Sequence, residues 1–273
     1  MEDMTAPSIS SPSAPSGTGF DDLLARLHDY DPQTGMTALH DSRLLGFDTE
    51  TTGARPGRDA IVSACLVLRD PARGRAGDIS VSWIINPHRP MSAGASAVNG
   101  FTDDFLQENG AEPTEALGQI AQAVLDSQRI GIPLLAYNAP FDVAMLHGDL
   151  NRWNLADVDA DLVVDPLVID RKVSRRHGRR TLSDTTAYYG VEPDGDFHDA
   201  SADTRAAVDL IAPMSTLYPQ VGSLSLDEIM NWQRRAHEEW KASFNSWLES
   251  RGRRPITDGW LERTEERTRI RLP

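Results

Sequence analysis

The sequence predicts an α/β fold: a mixed five-stranded sheet with flanking helices, plus a C-terminal helical extension. Three observations carry this. Three apolar runs lie close together between residues 44 and 85, separated by turn-rich segments, as in an antiparallel meander. Two later apolar runs, 132–137 and 162–164, each follow a helical pattern, as a parallel return through a crossover helix requires. Beyond residue 222, apolar and aromatic residues step by three and four along one long helix.

The elements follow in order. Residues 1–19 are rich in Ser, Pro, Ala and Gly with almost nothing to bury, and read as a disordered tail. Phe20, Leu23, Leu24 and Leu27 fall at the spacing of a short amphipathic helix. Leu44 to Asp48 reads as a buried strand that ends in the polar stretch Asp48-Thr49-Glu50-Thr51-Thr52-Gly53. Ile61 to Leu68 and Val81 to Ile85 are the second and third strands, joined through Asp70-Pro71 and Gly74. Pro113 to Gln128 has helical periodicity in Leu117, Ile120, Val124 and Leu125. Ile132 to Tyr137 is a fourth strand; Asn138 is placed to cap, and Pro140 to open, a helix through Leu150. A short strand at Leu162–Val164 precedes helices at Pro166–Val173, Leu182–Tyr189 and Ala200–Met214. In the last stretch, Ile229, Trp232, Ala236, Trp240, Phe244 and Trp247 form one stripe. The stripe reads first as packing on the main domain and second as a face for a partner. The division expected is a tail over 1–19, a main domain over 20–216 and a Trp-rich extension over 217–273.

Composition narrows the function classes. The chain has 273 residues and a net charge of −14, which argues against charge-driven coating of nucleic acid or anionic membrane. An acidic, metal-holding nuclease site is compatible with that charge. One cysteine, Cys65, excludes a disulfide framework and a Cys-based zinc site. No apolar run approaches the ~18 residues of a bilayer span, and the N-terminus lacks a secretory pattern, so a cytoplasmic protein without membrane contact is expected. No Gly-rich phosphate loop or G-x-S-x-G appears.

The chemistry is carried by acids. Asp48 and Glu50 lie two positions apart at a strand end, so both side chains point to one face of the sheet. Carboxylates that close repel unless protonated or compensated, and divalent cations with oxygen ligands are the natural compensation. Asp142 falls in the first turn of the helix after the fourth strand. It reads either as helix-dipole complementation or as a site acid facing the Asp48/Glu50 pair if strands one and four are neighbours. His198 and Asp203 lie five apart, which is about 500° of rotation on one helix. They converge only if His198 precedes the helix and Asp203 sits in its first turns.

Together, Phe47-Asp48-Thr49-Glu50-Thr51-Thr52-Gly53, Tyr137-Asn138-Ala139-Pro140-Phe141-Asp142 and His198-Asp199-Ala200-Ser201-Ala202-Asp203 resemble the three motifs of the DnaQ-like 3′–5′ exonucleases. The subgroup resembled is the DEDDh type, which includes the epsilon-subunit proofreading exonucleases of DNA polymerase III. Ile85-Asn86-Pro87 and Ala97-Val98-Asn99-Gly100-Phe101 resemble the connection between the first two motifs. The resemblance covers 43–214. It implies an RNase H-like fold, two divalent cations (Mg²⁺ or Mn²⁺) and removal of nucleotides from 3′ ends. Asp48, Glu50, Asp142 and Asp203 are then the metal-binding acids, and His198 takes a proton from the attacking water.

For the substrate, the resemblance implies contacts from Thr51 and Phe141, whose alternative readings are a turn cap and a core aromatic. Asn99 and Asn138 are further candidates. The basic run Arg171 to Arg180, with Arg175 and Arg176 at its centre, reads as a phosphate track or as a solvated loop. The partners expected are single-stranded nucleic-acid 3′ ends and a polymerase or other protein on the C-terminal helix. The leading expectation is a DNA exonuclease in proofreading or repair. RNA 3′-end trimming and a non-catalytic nuclease-like interaction module are the alternatives.

Overall fold

A computed structural model describes residues 17–192 and 199–261. The tail up to Ser16 and His198 lie outside the described residues. Helix α1 (Gly17–Asp29) opens inside the stretch expected as tail and buries Leu23 and Leu27. Strands β1 (Leu44–Thr51), β2 (Ile61–Arg69) and β3 (Ile79–Ile84) form the antiparallel meander.

Two short helices, α2 (Ala93–Asn99) and α3 (Asp103–Asn109), follow; the apolar pattern did not predict them. The reason is physical: α2 buries no residue and α3 buries Leu106 alone, so neither has a stripe to read. Their caps were legible. Ser92 accepts from the Ala95 N–H, Thr102 from the Phe105 N–H, and Gly100 closes α2 at φ 75°.

Then come α4 (Pro113–Arg129), β4 (Leu134–Leu135), α5 (Ala139–Arg152), β5 (Val163–Val164), α6 (Pro166–Val173), α7 (Leu182–Tyr189), α8 (Ala200–Asp209), α9 (Ile211–Leu217), α10 (Pro219–Gly222) and α11 (Leu226–Ser250). Strands β4 and β5 are shorter than expected; β4 is bounded by Pro133, which lacks an N–H, and by Asn138, which turns the chain away at φ 67°. The helix expected over 200–214 is two helices that meet at Leu210. Pro213 cannot donate the hydrogen bond that would join the second segment to the first.

The sheet order is β3-β2-β1-β4-β5, with β1, β4 and β5 parallel. Leu45 and Phe47 face the main core, shared with α1, α4 and α5. Gly46, Asp48 and Glu50 alternate onto the opposite face, under α8. Gly46 is required there: a Cβ would stand 2.5 Å from Val208 Cγ2 and 2.8 Å from Thr204 Cγ2. The missing side chain lets α8 lie against β1 and brings Asp203 to Asp48.

The described part of the extension, residues 217–261, packs against the sheet, and residues 262–273 lie outside the described residues. Ile229 joins the core under α9, and Ala236 joins the main core. Gln233, fully buried on α11, accepts from the Asp165 N–H at 2.7 Å and donates to the Val163 carbonyl at 2.8 Å. Its amide thus pairs with β5 as a neighbouring strand would, and satisfies an otherwise open sheet edge. Trp247 remains 46% exposed.

Candidate active site

The site lies at the C-terminal ends of β1 and β4, between the α8 layer and the α5 layer. From β1, period-two alternation aims Asp48 and Glu50 at α8, while Thr49 points to the other layer. A register shift in the β1–β2 ladder falls between Glu50 and Thr51 and ends the regular pairing there. From α8, Asp203 sits in the first turn, behind an N-cap Asp199 that accepts from the Ser201 and Ala202 N–H groups. Carboxylate oxygens of Asp48, Glu50 and Asp203 all lie within 4.8 Å of one another.

Asp142 comes from the first turn of α5 and is 3% exposed. Thr49 Oγ1 donates to its Oδ1 at 2.8 Å, so β1 itself orients the acid that α5 supplies. The helix start is fixed from behind. Asn138 does not cap α5 with its side chain, as the sequence had suggested; it adopts φ 67°, and its backbone N–H donates to Asp165 at 3.0 Å. The N–H of Ala139 also donates to Asp165, at 3.1 Å, as does that of Leu167 at 3.0 Å and the Trp260 indole at 3.0 Å. Asp165 is a positioning residue that the sequence reading missed. Its signal was present as an Asp-Pro pair at the start of a helix.

Electrostatics follow from this crowding. Burial raises the Asp48 carboxyl well above the usual range, and the charges of Asp142, Asp203 and Glu50 raise it further. Burial and Asp203 push Glu50 up to about 8, against a hydrogen bond from Asn99. Burial pushes Asp142 up to about 7, against the Thr49 hydroxyl. An all-oxygen set of mutually repelling acids fits a hard divalent cation, which would relieve the repulsion.

This gives a testable pH dependence. The Glu50 and Asp142 carboxyls keep protons in the folded, metal-free protein that the unfolded chain releases near pH 4. Their contribution to stability is therefore complete below that pH and is lost as pH rises through about 7 for Asp142 and about 8 for Glu50. Thermal melts in EDTA should show a falling Tm over this window. Added Mn²⁺ should raise Tm more at pH 8 than at pH 5.5; at pH 8 a hundredfold excess over Kd stabilises by about 2.7 kcal/mol. An equal rise at both pH values would contradict the assignment.

The predicted substrate residues divide. Thr51 donates its hydroxyl to the Gly53 carbonyl at 2.8 Å, which is the turn-cap reading. Phe141 is half-buried and packs on the main core. Asn99 ties α2 to β1, donating to the Thr51 carbonyl at 3.2 Å. Asn138 lines a cleft of about 380 Å³ with Asp48, Asp203, Tyr137, Arg171 and Arg180. Arg175 is exposed. Arg176 corrects the phosphate-track expectation: its guanidinium is held by Asp170 at 2.9 Å and by Thr185 at 2.7 Å.

The chain is similar to known proteins in sequence and in fold. The RNase T family model, described as exonuclease, matches residues 45–211. A DNA polymerase III of PolC type from Streptococcus pyogenes serotype M18 is 29% identical over 170 residues, covering 62% of this chain and 11% of that protein. The chain therefore spans about a tenth of the length of the curated relatives it matches. Among solved structures, E. coli exonuclease I in complex with a dA16 oligonucleotide superposes with a TM-score of 0.55 at 19% identity, over 66% of this chain and 42% of that one. Exonuclease I from Methylocaldum szegediense gives 0.55 at 19%, over 72% and 45%. These likenesses show the fold: a mixed five-stranded sheet with flanking helices of the RNase H-like type. Among the described residues, no helix is long and apolar enough to cross a membrane.

Proposed function

The chain belongs to the exonuclease family, and from that premise we propose that it is a metal-dependent 3′–5′ exonuclease acting on single-stranded DNA ends, in proofreading or repair. The observation that carries this reading is the convergence of Asp48, Glu50 and Asp203 from two separate elements, with Asp142 buried beside them. Of the structural neighbours, one is described as a zinc-bound exonuclease I–ssDNA complex, which accords with the metal and the substrate class.

In this reading two divalent ions, Mg²⁺ or Mn²⁺, would be held by Asp48, Glu50 and Asp203 and by Asp48 with Asp142. When bound they supply charge neutralisation and Lewis acidity at the scissile phosphate. The protein's own part is orientation. Thr49 holds the Asp142 carboxylate toward β1, and Asp165 fixes the turn that aims α5. His198, five residues before Asp203 in the sequence, takes the proton of the attacking water on an imidazole nitrogen.

The test uses 5′-labelled single-stranded DNA and RNA of matched sequence, with Mg²⁺, Mn²⁺ or EDTA. A metal-dependent ladder that shortens from the 3′ end supports the proposal, and the DNA-to-RNA rate ratio assigns the sugar. No cleavage of either strand with either metal overturns it. His198→Ala should lower kcat by about 10²–10⁴-fold, the usual contribution of a general base. Its Mn²⁺-induced rise in Tm should match that of the unmodified protein. Near wild-type turnover would remove His198 from the role.

A further inference from the structure

Within the basic run Arg171–Arg180, the structure separates side chains that the sequence cannot. Lys172 is paired with Glu239. Arg176 and Arg180 both bind Asp170, whose carboxyl is buried; their charges outweigh that burial and hold it below the usual range. Arg176 and Arg180 are thus committed to the fold, and Lys172 to an exposed pair. Arg171 is not. Among the described residues its guanidinium makes no hydrogen bond or ion pair, and its contact is with the Trp240 ring, 3.7 Å from the centroid. It lines the same cleft as Asp48 and Asp203.

The support beneath Arg171 is unusually ordered. Trp240, Phe244 and Trp247 run along α11 with nearly parallel rings, 5.2 and 5.6 Å between centroids and 12° and 16° between planes. The guanidinium lies over the first of these rings. An arginine stacked on an indole is fixed in plane and loses little of its donor capacity, because the N–H groups point outward along the edge. Burial lowers the Arg171 pKa, and a guanidinium stays charged in proteins. The result is a preorganised, charged fork beside a cluster of carboxylates that would otherwise repel an incoming phosphate.

We propose that Arg171, held in place by Trp240 of α11, grips a backbone phosphate of the single strand in the Asp48/Asp203 cleft, which makes the C-terminal extension part of the substrate-binding machinery. This rests on the nuclease reading above. Arg171 is the binding group, and Trp240 acts through it as a positioning residue. The bidentate geometry of guanidinium on phosphate sets a second expectation: lysine supplies the charge but not the fork.

The experiment measures kcat and KM on 5′-labelled single-stranded DNA over a KCl series, with Mn²⁺, for the full chain and its variants. Arg171→Ala should raise KM about tenfold with kcat changed less than about threefold, and should flatten the log KM against log salt slope by about 0.7, the loss of one phosphate contact on a single strand. Arg171→Lys should restore the slope but only part of the KM. Trp240→Ala should reproduce the Arg171→Ala pattern, Trp240→Phe should largely rescue it, and the double alanine variant should be no worse than Arg171→Ala alone. Arg129→Ala, on an exposed arginine at the opposite end of β4 from Asn138, controls for general loss of charge. If the unmodified protein cleaves and Arg171→Ala keeps its KM and salt slope, this proposal is overturned while the nuclease reading stands. If Trp240→Ala lowers kcat without moving the slope, the ring's part is structural only and its positioning role is overturned. A wild-type protein that leaves the strand intact overturns both readings.

Discussion

Replacing Asp48 by alanine is expected to reduce 3′-end cleavage by about 10³-fold or more, which corresponds to about 4 kcal/mol of transition-state stabilisation. Asp48 is the member of the cluster that feels all the others: Asp142, Asp203 and Glu50 each raise its pKa on top of burial. In the proposed arrangement it is also the acid shared between the cations, so its loss removes ligands from both. The same substitution removes a carboxyl whose ionised form burial and three neighbouring acids disfavour in the folded, metal-free state. In EDTA the Asp48→Ala protein should therefore melt at or above the wild-type temperature. The rise in Tm that Mn²⁺ gives the wild type should be absent. A variant that is both less stable without metal and still responsive to it would mean that Asp48 serves the fold rather than the reaction. Retained cleavage with an intact Mn²⁺ response would remove it from the site.

Asp165→Ala is expected to cost about 3–5 kcal/mol of stability, because each buried donor left without an acceptor costs about 1–3 kcal/mol. The substitution strands four donors at once: the backbone N–H groups of Asn138, Ala139 and Leu167 and the Trp260 indole. Each unsatisfied buried donor is costly, and the four share one acceptor, so their losses do not simply add. Urea unfolding should show the midpoint falling by about 1–2 M. Asp165→Asn keeps one acceptor oxygen and should lose about half as much. Because two of the donors sit at the start of α5, metal affinity should fall together with stability. A midpoint within about 0.3 M of wild type for the alanine variant would mean that water replaces the carboxylate, and that Asp165 does not hold the turn.

Much of this molecule was legible in its residues. The strand alternation that puts Asp48 and Glu50 on one face needs only a period of two, and the structure keeps it. The rotation between positions 198 and 203 lets the two converge only if Asp203 lies in the first turns of its helix, and α8 begins at Ala200, which meets that condition for Asp203. The meander and the crossover helices followed from apolar runs and their connection lengths, whereas the pairing of β1 with β4 was a condition the sequence left open and the fold supplies. Helices α2 and α3 escaped because they bury almost nothing, and a pattern of burial cannot report an element that stays on the surface.

What the sequence determined by itself is the chemistry available: which acids stand at strand ends and helix starts, in what order, and on which face. Those properties are local, set by backbone periodicity within a few residues. What only the tertiary structure decided is which polar groups are already committed. Arg171, Arg176 and Arg180 look alike in the chain, yet Asp170 takes two of them and an indole from α11 holds the third. Asp165 and Gln233 read as ordinary polar residues until the fold places three backbone N–H groups and a sheet edge against them. Commitment is a property of pairs brought together across long sequence separations, and the free energy of burying each group without its partner is what makes the pairing specific.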